Sequence, residues 1–197
     1  MPIAEYTDQG ATTTIMSSTP PPHISGHNVL TQKQSAVDSN GALRADLIAG
    51  LRIRQTRPIP HEDGHVTEIA RTGWDFLEAP VVQVYMTTTL PGRIRAWGLH
   101  RQSHDRLFVA RGLLKFACYD GRTDSTTYGV VNEFTVSDRS PALIDIPPNL
   151  YHGWKNIGVE EAIVINMPTT PYEYEEPDAW LLPWDSKAAA ELIPYRF

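Results

Sequence analysis

From Leu51 to Met167 the chain runs in short segments rich in Val, Ile, Thr, Tyr and Phe, each closed by a cluster of Gly, Pro, Asn or Asp. The segments are LRIRQTR, HVTEIAR, VVQVYMTTTL, RIRAWGL, RLFVARG, LLKFACYD, VVNEFTV, ALIDI and AIVINM. EDG at 62–64, LPG at 90–92, YDGRTDS at 119–125 and SDRSP at 137–141 supply turns between them. Short β-rich segments at this spacing, with no helical pattern alternating between them, predict an all-β sandwich or barrel.

The flanks differ. Residues 1–42 contain ATTTIMSSTPPPHISGHN and hold no sustained period, so they cannot bury enough apolar surface to offset their own ordering entropy. They predict an arm, flexible or laid over the barrel or a partner subunit. His23 and His27 are four apart in it, but the Pro and Gly around them argue against a helical metal pair. Residues 43–49 predict a short helix ended by Gly50. The barrel domain is expected over 43–185. After it, 186–197 predict a C-terminal cover with a helical turn or two at Ser186 to Leu192, and Trp180, Trp184 and Tyr195 pack this end of the chain on the barrel.

One stretch breaks the apolar pattern. In Arg95 to Gly112, RAWGLHRQSHDRLFVARG, polar side chains recur at every second position as His100, Gln102, His104 and Arg106. In an extended chain this period places all four on one face of a ribbon. Two imidazoles, an amide and a guanidinium make a costly core and a good pocket wall, because buried polar groups require partners.

Composition narrows the partners. A net charge of −6 with no block of like charges argues against a nucleic-acid backbone or an anionic membrane surface. The single cysteine, Cys118, excludes an intramolecular disulfide and reads as core packing in a reducing compartment. No apolar run reaches membrane-spanning length and the first residues carry no leader pattern, so a soluble, cytoplasmic protein is expected.

In ALIDIPPNLYHGWKN, residues 142–156, an apolar strand meets two prolines, then Asn149, His152 and Asn156. Proline sets a bend and Asn149 tolerates the left-handed conformation of a tight turn, which aims His152 back into the barrel. This spacing resembles the second motif of the cupin superfamily, with the first in Arg95 to Gly112. GLHRQ, DRLFVARGLLKFACYDGRTDSTTYG, IPPNLYHGW, PYEYEEPD and PWDS together resemble a divergent branch of the dTDP-4-dehydrorhamnose 3,5-epimerase family, over about residues 47 to 185. The resemblance implies a cupin double-stranded β-helix, that is a jelly-roll barrel, with short peripheral helices. It also implies a homodimer, no metal or other cofactor, and inversion of carbons next to the ketone of a nucleotide-linked 4-keto-6-deoxy sugar or related keto compound.

Such an inversion needs a base, a group that stabilises the enolate oxygen, and an acid on the opposite face. By the resemblance His100 falls on the base, Arg106 on a lysine that stabilises the oxyanion, and His152 on a second active-site histidine. Trp97, Gln102, His65, Phe116, Asn166 and Tyr172 are the expected substrate contacts. The chain also departs from the family. Asn166 stands near the catalytic tyrosine, and Tyr172 is the phenol that could reach in from the next loop. Phe116 stands where an aspartate partners the histidine, and Glu62-Asp63-Gly64-His65 replaces an arginine-bearing turn that holds pyrophosphate. Arg93, Arg95 and Arg101 are the cations available to compensate.

Two other readings remain at this level. One is a metal-dependent cupin enzyme, with His100, His104, Asp105 and His152 as ligands suited to Fe(II), Mn(II), Ni(II) or Zn(II). The other is a retasked or inactive cupin that binds a small carbonyl metabolite.

Overall fold

The computed structural model describes residues 47–74 and 77–197 of the chain. The expected arm with His23 and His27, and residues 43–46 of the expected helix, lie outside the described residues. Residues 47–49 of that helix lead instead into a turn, in which Gly50 has φ of 86°.

Two five-stranded antiparallel sheets face each other as a jelly roll. Their strands are β1 (Arg52–Gln55), β4 (Tyr85–Thr89), β5 (Ile94–Leu99), β6 (Asp105–Arg111), β7 (Leu113–Tyr119), β8 (Val131–Ser137), β9 (Ala142–Ile146), β10 (Tyr151–Asn156), β11 (Ala162–Asn166) and β12 (Trp180–Leu181). The first sheet runs β1-β9-β6-β11-β4 and the second β12-β5-β10-β7-β8. A separate hairpin joins β2 (Ile59–His61) to β3 (Gly64–Val66). A single helix, α1 (Lys187–Leu192), is present among the described residues; Ser186 caps it by accepting from the Ala189 amide.

Most expected strands form, with two shortfalls. Of HVTEIAR only the first two residues are paired, in β3, and the rest is irregular chain. VVQVYMTTTL pairs only from Tyr85 onward. Asp120 organises the YDGRTDS turn, its buried carboxylate accepting from Arg122 Nε at 2.8 Å, Ser125 Oγ at 2.6 Å and Thr127 Oγ1 at 2.7 Å.

Strand alternation sorts the core into layers. Leu107, Val109, Leu114, Phe116, Cys118, Ile144, Ile146 and Val164 fill the space between the sheets. On the outer face of the second sheet, Trp97, Ala117 and Tyr119 lie under Ala189, Ile193, Tyr195 and Phe197 of the C-terminal segment. Phe108 and Leu143, on the outer face of the first sheet, are covered with Leu77, Met167 and Trp74. Because both faces are covered, ALIDI is buried throughout and shows no polar alternation. No helix among the described residues is long and apolar enough to cross a membrane.

The second sheet is closest-packed at Gly153, where an added Cβ would sit 2.3 Å from Ala96 Cβ and 2.6 Å from the Arg95 carbonyl oxygen. Gly153→Ala therefore forces β10 away from β5 and is expected to destabilise the fold by roughly 1–3 kcal/mol. Thermal unfolding followed by circular dichroism measures this; an unchanged Tm would contradict the packing.

Candidate active site

The expected ribbon of four polar side chains does not form. β5 ends at Leu99 and β6 starts at Asp105, with a loop between them. The loop is tied to the far end of the chain, because the Asp178 carboxylate accepts the backbone N–H groups of Arg101, Gln102 and Ser103 at 2.8, 2.8 and 3.0 Å. A second tie runs from the Asn149 N–H to the His100 carbonyl at 2.6 Å, and Asn149 holds the left-handed φ of 62° that the Pro-Asn turn requires.

At this junction two imidazoles share one carboxylate oxygen. Asp105 Oδ2 lies 3.2 Å from His100 Nε2 and 3.1 Å from His152 Nε2. Each ring is oriented from behind at Nδ1, which for His152 donates to the Leu150 carbonyl at 2.9 Å and for His100 to the Asp178 carbonyl. Both Nε2 atoms are thereby left for Asp105 and the cavity. Gly98 makes room for the second ring, since a Cβ there would lie 3.3 Å from His152 Nε2.

The other carboxylate oxygen, Asp105 Oδ1, accepts from Asn166 Nδ2 at 2.7 Å, and the same amide nitrogen donates to the Tyr85 hydroxyl at 2.7 Å. Asn166 Oδ1 accepts the Arg106 N–H at 3.2 Å, which fixes the amide's orientation. Every buried side-chain nitrogen and oxygen among the described residues has a partner.

Charge follows from these contacts. Burial disfavours a charged His100, but the hydrogen bond and charge of Asp105, with help from Asp178, outweigh it and push the pKa up to about 9. Burial likewise opposes the Asp105 carboxylate, and its two imidazole partners hold it ionised well below the usual range.

His100, Asp105 and Tyr85 are common to two adjoining lobes of a cavity, of about 630 and 540 Å³. Together these offer room for a sizeable metabolite. The first lobe is polar and acidic, with Gln83, Gln102, Tyr172, Glu173, Glu175 and Glu176. The second is aromatic, with Trp154, Trp180, Trp184, Leu181 and one guanidinium, Arg95, and its inner wall includes His152 and Asn166.

Of the expected site residues, His100, His152, Gln102, Asn166 and Tyr172 thus line the cavity. Arg106 does not. Its guanidinium is fully buried on the outer face of the first sheet, donating to the carbonyls of Met167 at 2.7 Å, Ala79 at 2.8 Å, Pro80 at 2.9 Å and Pro168 at 3.2 Å. Every expected charge on that strand is therefore off by one residue, and Asp105 is the side chain that faces inward. His104 shares the outer face with Arg106 and bonds Asp145 at 3.0 Å, beside Arg52 on the same carboxylate at 2.8 Å, so it joins no ligand set. Trp97 packs outward against Tyr195 and Phe197, with ring centroids 5.9 and 5.2 Å away. Phe116 is closed into the core between Phe134 and Trp154. His65, on β3, lies by Asp138 and Arg139 in a different groove. Asp105, and not position 116, supplies the carboxylate partner of the histidines. Tyr85 was missed, although Tyr85, Thr87 and Thr89 alternate along their strand and carry the signal of an inward polar face.

A jelly roll whose mouth holds two histidines from one sheet and a carboxylate from the facing sheet has the architecture of a cupin, and its relatives are of the sugar-nucleotide epimerase type. The chain belongs to the family described as polysaccharide biosynthesis C-terminal domain, whose model matches residues 61–180. It is 34% identical over 139 residues to the probable low-salt glycan biosynthesis epimerase Agl13 of Haloferax volcanii, covering 70% of this chain and 89% of that protein. The spore coat polysaccharide biosynthesis protein SpsL of Bacillus subtilis is 27% identical over 141 residues, 72% of this chain and 93% of its own. Among solved structures, a dTDP sugar isomerase from Desulfovibrio desulfuricans G20 superposes with a TM-score of 0.68 at 27% identity, over 76% of this chain and 91% of the other.

Replacing Asp105 by Asn keeps the shape but removes the largest influence raising the His100 pKa, leaving Asp178 alone to oppose burial. NMR titration of the imidazoles is expected to find His100 titrating near pH 9 in the wild type and at lower pH in Asp105→Asn; equal values would contradict the shared carboxylate.

Proposed function

We propose that the protein is an epimerase or isomerase acting next to a ketone of a nucleotide-linked 4-keto-6-deoxy sugar or related keto compound, of the 3,5-epimerase kind, by proton abstraction through an enolate. The observation that carries this is His100, set by Asp105 and the Asp178 carbonyl at the meeting point of two cavity lobes. His100 Nε2 removes the proton, and the Asp105 carboxylate stabilises the imidazolium that forms. His152 supports it by holding the other side of Asp105. The aromatic lobe suits a nucleotide, since Trp180 and Trp184 offer faces for a base and Arg95 a charge for phosphate. The names carried by Agl13 and the Desulfovibrio isomerase agree with this chemistry.

Only neutral His100 is a base, and its fraction rises about tenfold per pH unit below its pKa. The test is deuterium uptake into dTDP-4-keto-6-deoxy-D-glucose in heavy water. Uptake is expected to depend on His100, to vanish in His100→Ala, and to climb with pH toward about 9. Wild-type protein without uptake would sink the proposal. One further reading has its own observation: ligand atoms of His100, Asp105 and His152 lie within 4.8 Å of one another, a set that also fits a divalent cation acting as Lewis acid on a ketone oxygen. Metal analysis of the same sample distinguishes the two, because stoichiometric metal lost in His100→Ala supports the cation.

We further propose a homodimer. Met86 is exposed on β4, an edge strand of the first sheet among the described residues, with Val81, Val82 and Val84 exposed just before it. Such a strip calls for a cover. Light scattering is expected to give twice the chain mass, and Met86→Glu with Val84→Glu to halve it; a monomeric wild type would refute this.

A further inference from the structure

An inversion through an enolate leaves one chemical requirement open at this site. The base takes a proton from one face of the carbon, and a donor must return one to the other face. Asn166 cannot serve, because an amide does not transfer a proton at ordinary pH. Asp105 is held as a carboxylate by two imidazoles and carries no proton to give. Tyr172 stands in the acidic lobe only, with its ring against Tyr174.

We infer that Tyr85 is the proton donor of this reaction, delivering its hydroxyl proton to the face of the carbon opposite His100. The inference rests on the epimerase reading above and adds to it the second of the two groups that inversion needs.

Placement comes first. Tyr85 opens β4 in the first sheet, and His100 follows β5 in the second, so the two side chains reach the cavity from opposing sheets. Both line both lobes, which puts the space between them at the lobes' junction. A flat enolate held there turns one face to the imidazole and the other to the phenol.

The polarity of the hydrogen bonds comes second. Asn166 Nδ2 can only donate, so in its 2.7 Å contact the Tyr85 oxygen is the acceptor. The amide cannot turn over, since its Oδ1 accepts the Arg106 N–H and its Nδ2 also serves Asp105. The phenol O–H is therefore left without an acceptor among the described residues and is free to point at a ligand. The same N–H that orients the phenol stabilises the phenolate left after transfer.

Electrostatics agrees. Burial and the nearby Asp105 charge raise the Tyr85 pKa and keep the phenol protonated at rest, while the Asn166 hydrogen bond and the Arg95 charge act in the other direction.

The step balances as follows. His100 Nε2 takes the proton from the carbon next to the ketone, and the electron pair of the broken C–H bond passes into the enolate, whose oxygen takes the charge. The enolate carbon then takes the Tyr85 hydroxyl proton on its other face, forming the new C–H bond and leaving a phenolate. Water in the open cavity returns a proton to the phenolate and removes one from the His100 imidazolium.

Tyr85→Phe removes one oxygen and separates the two half-reactions. With dTDP-4-keto-6-deoxy-D-glucose in heavy water, proton NMR reads deuterium uptake and configuration at each carbon next to the ketone. The expected result is that Tyr85→Phe keeps His100-dependent uptake within a few-fold of wild type while inverted product falls about 100-fold. Inversion at the wild-type rate in Tyr85→Phe would overturn the inference and leave the epimerase reading intact. Joint loss of uptake and inversion in a variant with wild-type Tm would also overturn it, assigning Tyr85 to ligand positioning. No uptake by the wild type would overturn the epimerase reading and this inference together.

Discussion

A single buried carboxylate sets the character of the molecule. Taking an ion such as Asp105 out of water costs several kcal/mol unless its oxygens are met by good donors. Here one oxygen is met by Asn166 from β11 and the other by two imidazoles, one from the end of β5 and one from β10. Both rings also donate from Nδ1 to backbone carbonyls, so a proton at Nε2 makes a ring cationic, and the buried negative charge favours that proton on His100. The two sheets are thus joined at the barrel mouth by charge, whereas their closed end is joined by Phe116, Leu114, Ile144 and their neighbours. The polar mouth and the apolar floor are two parts of one interior.

Much of the architecture was legible because strand patterns are local. ALIDI, RIRAWGL and LLKFACYD form strands close to where their composition places them, and the Pro-Pro-Asn turn delivers His152 into the barrel. Facing was harder to read. Trp97 and Phe116 are both apolar and fully buried, yet one looks outward and the other inward, because the C-terminal segment covers the outer face of the second sheet and removes the polar alternation that would tell them apart. HVTEIAR has strand composition but largely lacks a partner strand, and composition alone does not supply one.

The misreading of Arg106 has a single cause. A period of two holds only while the backbone stays in a ladder, and residues 100–104 leave it. The N–H groups of Arg101, Gln102 and Ser103 are taken by Asp178, 75 to 77 residues further along, and that of His104 by Thr169 Oγ1, so nothing near them in sequence reports the loop. Once the ladder resumes at Asp105 the alternation is regular: Asp105, Leu107 and Val109 face inward, Arg106 and Phe108 outward. His152 was legible because the Pro-Pro-Asn turn marks it, and His100 through the resemblance carried by GLHRQ.

That reach of Asp178 also bears on the order in which the molecule is made. The strands that carry His100, Asp105, His152 and Asn166 are all synthesised before the residue that fastens the loop between His100 and Asp105. A nascent chain that has reached Met167 holds every strand of the two sheets except β12 and has an unfastened mouth. The site is completed only when the segment around Asp178 follows the other strands and lies across β5 as β12.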